Sequence, residues 1–180
     1  RSVSGARRVR ASALMSDLGA ANTATTLDYE SALDRVMGLA DFERSTHSPS
    51  HSAFHLERMG LLLERLGNIH LETPAVHVAG TKGKGSTAAM VTSILVAEGH
   101  RTGLYTSPHL HSAVERIRVG LEPVSRWEFA SLAERAWPAI EEVGRSGPYG
   151  PITTFEMLTA MAFLHFKGVG ADVQVLEVGL

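Results

Sequence analysis

The residues at positions 79–87, AGTKGKGST, combine three glycines, two lysines and three hydroxyl side chains directly after an apolar run at 75–78. Glycines allow a backbone to approach an anion closely, and a helix N-terminus presents unpaired N–H groups with a partial positive charge. Gly80, Gly83 and Gly85 supply that access. Lys84 can reach the terminal phosphates of a nucleotide and neutralise charge during transfer, while Ser86 or Thr87 offers a hydroxyl to phosphate or metal. The segment therefore predicts a phosphate-binding loop.

The segment departs twice from the strict nucleotide-loop pattern G-x-x-x-x-G-K-[ST]. Val78 stands where the first glycine belongs, and Gly85 separates Lys84 from Ser86. A glycine-rich turn with surface lysines is the structural alternative. The flanking elements favour the phosphate loop, since the pattern predicts a strand before it and a helix after it.

Two further polar residues follow predicted strands. Glu177 ends the apolar run 172–177, and Ser107 comes directly after the predicted strand 104–106. Ligands of open parallel sheets gather at the carboxyl ends of the strands, and Mg²⁺ prefers hard oxygen ligands. These residues are candidate metal ligands, against the alternatives of a solvent-facing carboxylate and an ordinary turn serine.

The hydrophobic pattern predicts an α/β fold with a doubly wound, mostly parallel sheet. Strand 75–79, the glycine loop, a helix over 85–98 and strand 104–106 form a βαβ unit. A short strand RIRV follows at 116–119, and residues 172–177 form a third core strand. The predicted inward residues of helix 85–98 are Ala89, Met90, Ile94 and Leu95.

The remaining helices are predicted from apolar periodicity and capping signals. One begins at Asp28, and a second covers 54–66 with Leu56 among its inward residues. Ser125 with Glu128 and Thr153 with Glu156 form capping boxes that open helices toward 142 and over 155–167. Pro138 is expected to kink or break the first of these two.

Composition excludes several classes of protein. The chain has 180 residues, 44% of them hydrophobic, with 17 Lys and Arg against 19 Asp and Glu. It lacks the basic excess typical of nucleic-acid binding and any apolar run of the roughly 20 residues that span a bilayer. There is no cysteine, so an intracellular protein with a small-molecule partner is expected.

Both ends of the sequence suggest part of a longer protein. The chain begins with Arg, carries four arginines and no acid in its first fourteen residues, and stops inside a predicted strand. We expect residues 1–25 to be a disordered tail or an upstream extension, with a transit peptide as the alternative. They are left out of the predicted fold.

Histidines suggest two other possibilities. His47, His51 and His55 are spaced four apart, as metal ligands on a helix would be, but Pro49 interrupts that helix and no carboxylate or Cys accompanies them. His109 and His111 follow Ser107. Either one is a candidate general base, although a loop histidine that contacts substrate or solvent is the favoured interpretation.

Four ordered motifs make the sequence resemble a known family. They are HVAGTKGKGSTAAMVTSIL, GLYTSPHLHSAVERIRV, ITTFEMLTAMAFL and DVQVLEVGL, and the helix LERMGLLLERLGN precedes them. Over residues 28–180 the chain resembles the folylpolyglutamate synthase and dihydrofolate synthase branch of the Mur ligase superfamily. That family has a phosphate loop of the form G-T-[NK]-G-K-G-S, which accounts for both departures noted above.

The resemblance implies an ATP-dependent ligase. In that reaction ATP phosphorylates a folate or dihydropteroate carboxylate, and the amino group of L-glutamate attacks the acyl phosphate. Carried over by position, Lys84 is the catalytic lysine and Ser107 and Glu177 are Mg²⁺ ligands. The implied ATP-binding residues are Thr81, Lys82, Gly83, Lys84, Gly85, Ser86 and Thr87. The implied substrate-binding residues are Thr153, Thr154, Phe155 and Glu156, although the capping box requires Thr153 and Glu156 for structure as well.

The resemblance also implies what the sequence lacks. Residues 26–180 correspond to the amino-terminal part of the ATP-binding ligase domain, without the carboxyl-terminal domain that binds glutamate, so the chain alone is expected to be inactive. The full-length protein is expected to be a cytoplasmic monomer. A sister Mur-type amino-acid ligase and a nucleotide-binding P-loop module without ligase activity remain alternatives.

Overall fold

A computed structural model describes residues 27–40 and 55–178 of the chain. The predicted tail 1–25 and two members of the histidine series, His47 and His51, lie outside the described residues. Within these ranges no helix is long and apolar enough to cross a membrane.

The described chain contains five helices and five strands. The helices are α1 (Tyr29–Met37), α2 (Leu56–Arg65), α3 (Lys84–Ala97), α4 (Arg126–Ser146) and α5 (Thr154–Gly168). The strands are β1 (Ala75–Val78), β2 (Thr102–Tyr105), β3 (Ile117–Val119), β4 (Glu122–Pro123) and β5 (Val173–Glu177). Short 3₁₀ turns occupy Ile69–Leu71 and Ala113–Arg116.

The strands form one sheet in the order β1-β5-β2-β3-β4. β5 lies between β1 and β2 and pairs in parallel with both. β3 and β4 continue the sheet as antiparallel strands. The predicted α/β fold with a mostly parallel sheet is confirmed, and the carboxyl ends of β1, β5 and β2 share one edge of it.

Helices cover both faces of this sheet. On one face α3 packs on Val78, Leu104 and Val175 through Ala88. On the other face α5 approaches β2 so closely that a β-carbon on Gly103 would lie 2.6 Å from the ring of Phe166. Glycine at position 103 is therefore what allows α5 to pack directly on the sheet.

The predicted inward face of α3 is wrong in three of its four residues. Ala89 is exposed, and Met90 and Ile94 are 59% and 64% exposed, whereas Ala88 is buried. Leu95 packs against the core, as predicted. The helix is apolar on nearly all sides, so its periodicity does not identify which stripe faces the sheet. Contact with the sheet alone decides that orientation.

The other helices form a second layer beyond α5, in which two predictions need correction. Leu56 is 87% exposed because α2 begins there and buries Leu62 and Leu63 instead. Pro138 does not break α4, which continues to Ser146. Pro138 lies on the exposed side of that helix, where water can satisfy the carbonyl that loses its helical hydrogen bond.

The start of α5 is held by a buried ion pair. Arg58 Nε lies 2.9 Å from Glu156 Oε2, and the two side chains are 7% and 10% exposed. Glu156 Oε2 also accepts from the backbone N–H and the hydroxyl of Thr153, which completes the predicted capping box. Arg58 donates a further bond to the carbonyl of Tyr149. One carboxylate thus joins α2, α5 and the loop before α5.

We expect Glu156→Gln to lower the free energy of unfolding by about 3 kcal/mol, because it leaves the guanidinium of Arg58 buried without its counter-charge. Urea unfolding of the chain measures this. The double variant Arg58→Met with Glu156→Met is expected to lose less unfolding free energy than Arg58→Met and Glu156→Met lose separately when their losses are added. Additive losses would contradict the ion pair.

His165 is a buried titratable group at the contact of α5 with α4. Burial lowers its pKa below the ordinary value of 6.5; the charge of Glu128 opposes this shift and that of Arg135 reinforces it. The folded chain therefore resists a proton that the unfolded chain accepts. For a base with a lowered pKa, stability is complete above the unfolded pKa and declines as the pH falls below it.

Stability is expected to fall as the pH drops through and below the ordinary histidine pKa of 6.5, and His165→Gln is expected to reduce that fall. The urea midpoint at several pH values measures it. His100→Gln, at an exposed position, is the matched control and should leave the pH dependence unchanged. An unaltered slope in His165→Gln would show that another group carries the effect.

Candidate functional site

The glycine loop lies between the carboxyl end of β1 and the start of α3. Gly80 has φ of 150° and Gly83 has φ of 76°, backbone conformations that side chains with a β-carbon rarely adopt. Gly83 is the N-cap of α3, and the helical hydrogen bonds begin with Thr87 N–H donating to its carbonyl at 2.9 Å. The N–H groups of residues 84–86 precede that first bond, so they are available to an anion at the helix end.

The N-terminus of α3 differs from those of the other described helices. Those four helices each carry a Glu in the first turn, whereas α3 carries no acidic residue there and no side-chain cap. Its positive end is therefore not neutralised by its own sequence. Lys84 is half-buried and folds back, with Nζ donating to the carbonyl of Gly80 at 2.9 Å. Both features suit an anionic ligand in the loop.

Strand pairing brings the two predicted metal ligands together beside this loop. Val78, the last residue of β1, pairs with Glu177 of β5. The backbone N–H of Ser107 lies 3.3 Å from Glu177 Oε2, and a β-carbon on Gly85 would lie 3.5 Å from the same oxygen. Ser107, Glu177 and the first turn of α3 thus form one cluster, as predicted from their positions after strands.

Glu177 is a buried carboxylate of an unusual kind for this chain. It is 8% exposed, and among residues 27–40 and 55–178 no cationic side chain forms an ion pair with it. A buried charge without a counter-ion is costly, so such a group commonly meets a ligand that brings positive charge. The carboxylate and the neighbouring hydroxyl of Ser107 are hard oxygen donors of the type that Mg²⁺ selects.

The described residues provide no complete protein cage for a metal, since no three of their His, Cys, Asp or Glu side chains are grouped so that they could hold a metal ion. Mg²⁺ bound with a nucleotide does not need such a cage, because phosphate oxygens and water fill the other positions. The residues present therefore fit a nucleotide-associated Mg²⁺.

Two residues without a predicted role, Glu115 and Arg116, contact the loop after Ser107. Glu115 accepts hydrogen bonds from the backbone N–H groups of Leu110, His111 and Ser112. Burial raises the pKa of Glu115, but these bonds and the nearby His111 together bring it below its usual range. Ser112 and Glu115 form a capping box, a signal that was present in the sequence.

The second residue is Arg116, which is 1% exposed. Its Nε donates to Nδ1 of His109 at 3.0 Å, and its carbonyl accepts from the N–H of Thr106 at 3.0 Å. A fully buried arginine within a predicted strand gave no sequence signal that distinguished it from an ordinary strand residue.

The predicted substrate-binding residues lie at the start of α5 and already make structural contacts. Thr153 and Glu156 form the cap described above, and the hydroxyl of Thr154 donates to the carbonyls of Val36 and Leu39 in and after α1. Phe155 is partly exposed and meets the ring of Tyr105 edge-on at 6.1 Å between centroids. Of the four residues, Phe155 has the side chain best placed for a ligand, and the substrate role of the segment stays a prediction.

Tyr105 links this segment to the metal-ligand candidates. It is the last residue of β2, two positions before Ser107, and its hydroxyl lies 3.3 Å from that of Thr159 in α5. Tyr105 lies in a predicted strand and had no predicted role in the site.

Two of the curated proteins that are similar to this chain have the same description. A dihydrofolate synthase/folylpolyglutamate synthase of Mycobacterium tuberculosis is 39% identical over 131 residues, which are 69% of this chain and 27% of that protein. A protein with the same description from Bacillus subtilis is 40% identical over 126 residues, again 69% of this chain and 29% of that protein. The chain thus spans less than a third of the length of these relatives. No protein-family model matches the chain.

Solved structures agree with this similarity. A folylpolyglutamate synthase of Thermotoga maritima has a TM-score of 0.73 and 39% identity, covering 84% of this chain and 33% of that one. A folylpolyglutamate synthase in complex with AMPPCP and folate has a TM-score of 0.75 and 30% identity, covering 86% of this chain and 36% of that one.

The glycine loop, the buried strand-end carboxylate, the fold and both comparisons lead to one conclusion. The chain is related in sequence and structure to the folylpolyglutamate synthase and dihydrofolate synthase family.

Proposed function

We propose that this chain supplies the nucleotide- and magnesium-binding part of an ATP-dependent ligase that joins L-glutamate to a folate or dihydropteroate carboxylate. The observation that carries the proposal is the buried carboxylate of Glu177, which lies against the bare N-terminus of α3 and has no cationic partner among the described residues. Such a site suits the combination of an anionic phosphate and a divalent cation. The family relationship supports the reaction and its substrates.

The phosphate-binding role falls to residues 81–87. Backbone N–H groups at the start of α3 bind phosphate oxygens, and the ammonium of Lys84 exchanges the carbonyl of Gly80 for them. This exchange costs little, because a charged phosphate is a stronger acceptor than a carbonyl. Lys84 is the proposed catalytic residue, since it neutralises charge that builds up as the phosphoryl group is transferred.

The proposed Mg²⁺ site consists of Ser107 and Glu177. When bound, the ion supplies Lewis-acid stabilisation of the phosphates. The chain's own contribution is to hold the carboxylate and the hydroxyl side by side, which the pairing of β5 with β1 and β2 does. The N–H of Ser107 fixes the orientation of the carboxylate.

Formation of an acyl phosphate fits the chemistry of the substrates. A carboxylate is a poor electrophile, and its acyl phosphate is attacked readily by the amino group of glutamate. The site must therefore place the substrate carboxylate against the terminal phosphate of ATP and exclude water. We assign no protein nucleophile to this sequence of steps.

The substrate segment 153–156 completes the proposal. Phe155 offers an aromatic face for stacking on a pteridine ring, and Tyr105 packs against Phe155 edge-on. Thr153, Thr154 and Glu156 hold the segment in place through the bonds described above. A direct hydrogen bond from the ligand to Glu156 would have to share its two carboxylate oxygens with Arg58 and Thr153, which already donate to them.

The wider organisation of the protein is also proposed. Residues 26–180 are the amino-terminal part of the ligase domain, and the glutamate-binding domain belongs to a further segment, as the length of the relatives suggests. We propose a cytoplasmic monomer that acts on small molecules, in keeping with its near-neutral net charge of −2.

Lys84→Ala is expected to weaken ADP binding to the chain by about tenfold or more, because it removes a charged hydrogen-bond donor to phosphate. Calorimetric titration with Mg²⁺ and ADP measures it. Lys167→Ala is the matched control, since that ammonium pairs with Glu72 on the surface and should not affect binding.

The same variants test the reaction in the product of the complete gene. Wild type should release ADP only when folate or dihydropteroate and glutamate are both present, and Lys84→Ala should abolish this. ADP binding without glutamate-dependent turnover would support a nucleotide-binding module instead. Unchanged ADP binding in Lys84→Ala would refute the phosphate loop itself.

Phe155→Ala is expected to raise the KM for dihydropteroate or folate by about tenfold and to leave that for ATP within about twofold, because it removes a stacking surface of roughly 1–1.5 kcal/mol. Initial rates with each substrate varied in turn measure this. Phe155→Leu keeps the volume without the aromatic face and serves as the control for packing. An equal rise in both KM values would favour a purely structural role.

A further inference from the structure

We infer that Tyr105 is a positioning residue for the substrate, because it holds the ring of Phe155 in a fixed place relative to the strand ends that carry Ser107 and Glu177. This role rests on the proposed function for the identity of the substrate and for stacking by Phe155. The contacts of Tyr105 come from the structure itself.

The backbone of Tyr105 is fixed on both sides by the sheet. Tyr105 is the last residue of β2, where it pairs with Leu176 of β5 and with Ile117 of β3. Leu176 directly precedes Glu177, and Ser107 follows Tyr105 by two positions. The backbone of Tyr105 therefore has a set position relative to both metal-ligand candidates.

The side chain of Tyr105 carries that fixed position across to α5. It is 2% exposed, so its ring is confined by close packing. The ring meets that of Phe155 with 6.1 Å between centroids and an interplanar angle of 62°, which is a favourable edge-on arrangement. Phe155 is only partly buried, so this contact restrains a ring that is also accessible to a ligand.

A second connection runs through Thr159 to the backbone of Phe155. The hydroxyl of Thr159 donates to the carbonyl of Phe155 at 2.8 Å, one helical turn earlier. The hydroxyl of Tyr105 lies 3.3 Å from that of Thr159. Tyr105 thus contacts the ring of Phe155 directly and its backbone through one intermediate side chain.

The proposed reaction needs such a connection. Its substrate carries a pteridine ring at one end and the reacting carboxylate at the other, and the carboxylate must come within roughly 3–3.5 Å of the terminal phosphate. Stacking on Phe155 places the carboxylate correctly only if Phe155 is fixed relative to the phosphate loop and the metal-ligand candidates. Tyr105 belongs to the strand that leads to Ser107 and packs on the helix that carries Phe155, so it supplies this restraint before the substrate binds.

The first test is nuclear magnetic relaxation of the phenylalanine rings in the chain labelled with ¹³C. Tyr105→Leu should lower the order of the Phe155 ring and shift its proton resonances, because the edge-on contact is lost. The matched control is Tyr29→Leu, since Tyr29 meets Phe129 edge-on at 5.5 Å and its hydroxyl lies 3.3 Å from that of Ser112. It should leave Phe155 unchanged. Equal order of Phe155 in wild type and Tyr105→Leu would overturn the inference.

The second test measures KM values in the product of the complete gene. Tyr105→Leu should raise the KM for dihydropteroate or folate about fivefold, the value of one aromatic pair, and keep that for ATP within about twofold. Tyr105→Phe keeps the ring and should remain within about twofold of wild type for both substrates. Tyr105→Met fills more of the site and replaces Tyr105→Leu if that variant does not fold.

A double-variant cycle tests whether Tyr105 acts through Phe155. In the Phe155→Leu background, Tyr105→Leu should change the KM for dihydropteroate or folate by less than about twofold, because the ring that it positions is already gone. A further fivefold rise in that background would overturn the inference. An equal rise of both KM values in the single variant Tyr105→Leu would also overturn it, since that indicates a general disturbance of the fold.

The tests separate this inference from the proposed function. Absence of glutamate-dependent turnover in wild type would refute the proposed ligase, and the relaxation experiment would still decide whether Tyr105 orders Phe155. Unchanged KM values in Phe155→Leu would refute the stacking role and the positioning role together. Normal turnover with additive effects of the two substitutions would leave the ligase in place and refute the role of Tyr105 alone.

Discussion

The parallel pairing of β5 with β1 is the constraint on which the site depends. It sets Glu177 directly beside Val78, the last residue before the glycine loop. The backbone pairing thus places the carboxylate next to the N-terminus of α3. The pairing is reinforced where it begins, because the buried amide of Gln174 donates to the carbonyls of His70 and Thr73 in the segment that leads into β1. A shift of register by one residue would turn the side chain of Glu177 to the other face of the sheet and remove it from the loop.

Much of the fold is local in origin, and this is why the sequence predicted it. The sequence signals for the two capping boxes, for the helix and strands of the βαβ unit and for β5 each lie within a short stretch of the chain, and all of these elements are present in the structure. The failures concern orientation. Met90 and Ile94 were assigned to the buried face of α3, but an evenly apolar helix has no preferred face until the sheet supplies one.

The candidate site divides in the same way. Gly83, Lys84 and Glu177 could be found from the sequence because strand, loop and helix follow one another along the chain. Arg58 could not, since its partner Glu156 is 98 positions away and the sequence around Arg58 does not distinguish it from a surface charge. The burial of Arg116 could not be predicted either, because it depends on the fold of the loop that contains His109.

The two buried glutamates of the described residues, Glu156 and Glu177, have opposite surroundings, and the contrast supports the different roles proposed for them. Glu156 receives a guanidinium, a hydroxyl and backbone N–H groups, so its charge is balanced within the protein and the start of α5 becomes rigid. Glu177 receives the N–H of Ser107 and the positive end of α3, with no cationic side chain among the described residues. A carboxylate balanced internally has little left to offer a ligand, whereas one that is only partly balanced gains most from a divalent cation. The first is therefore suited to position the substrate segment, and the second to bind the metal that accompanies a nucleotide.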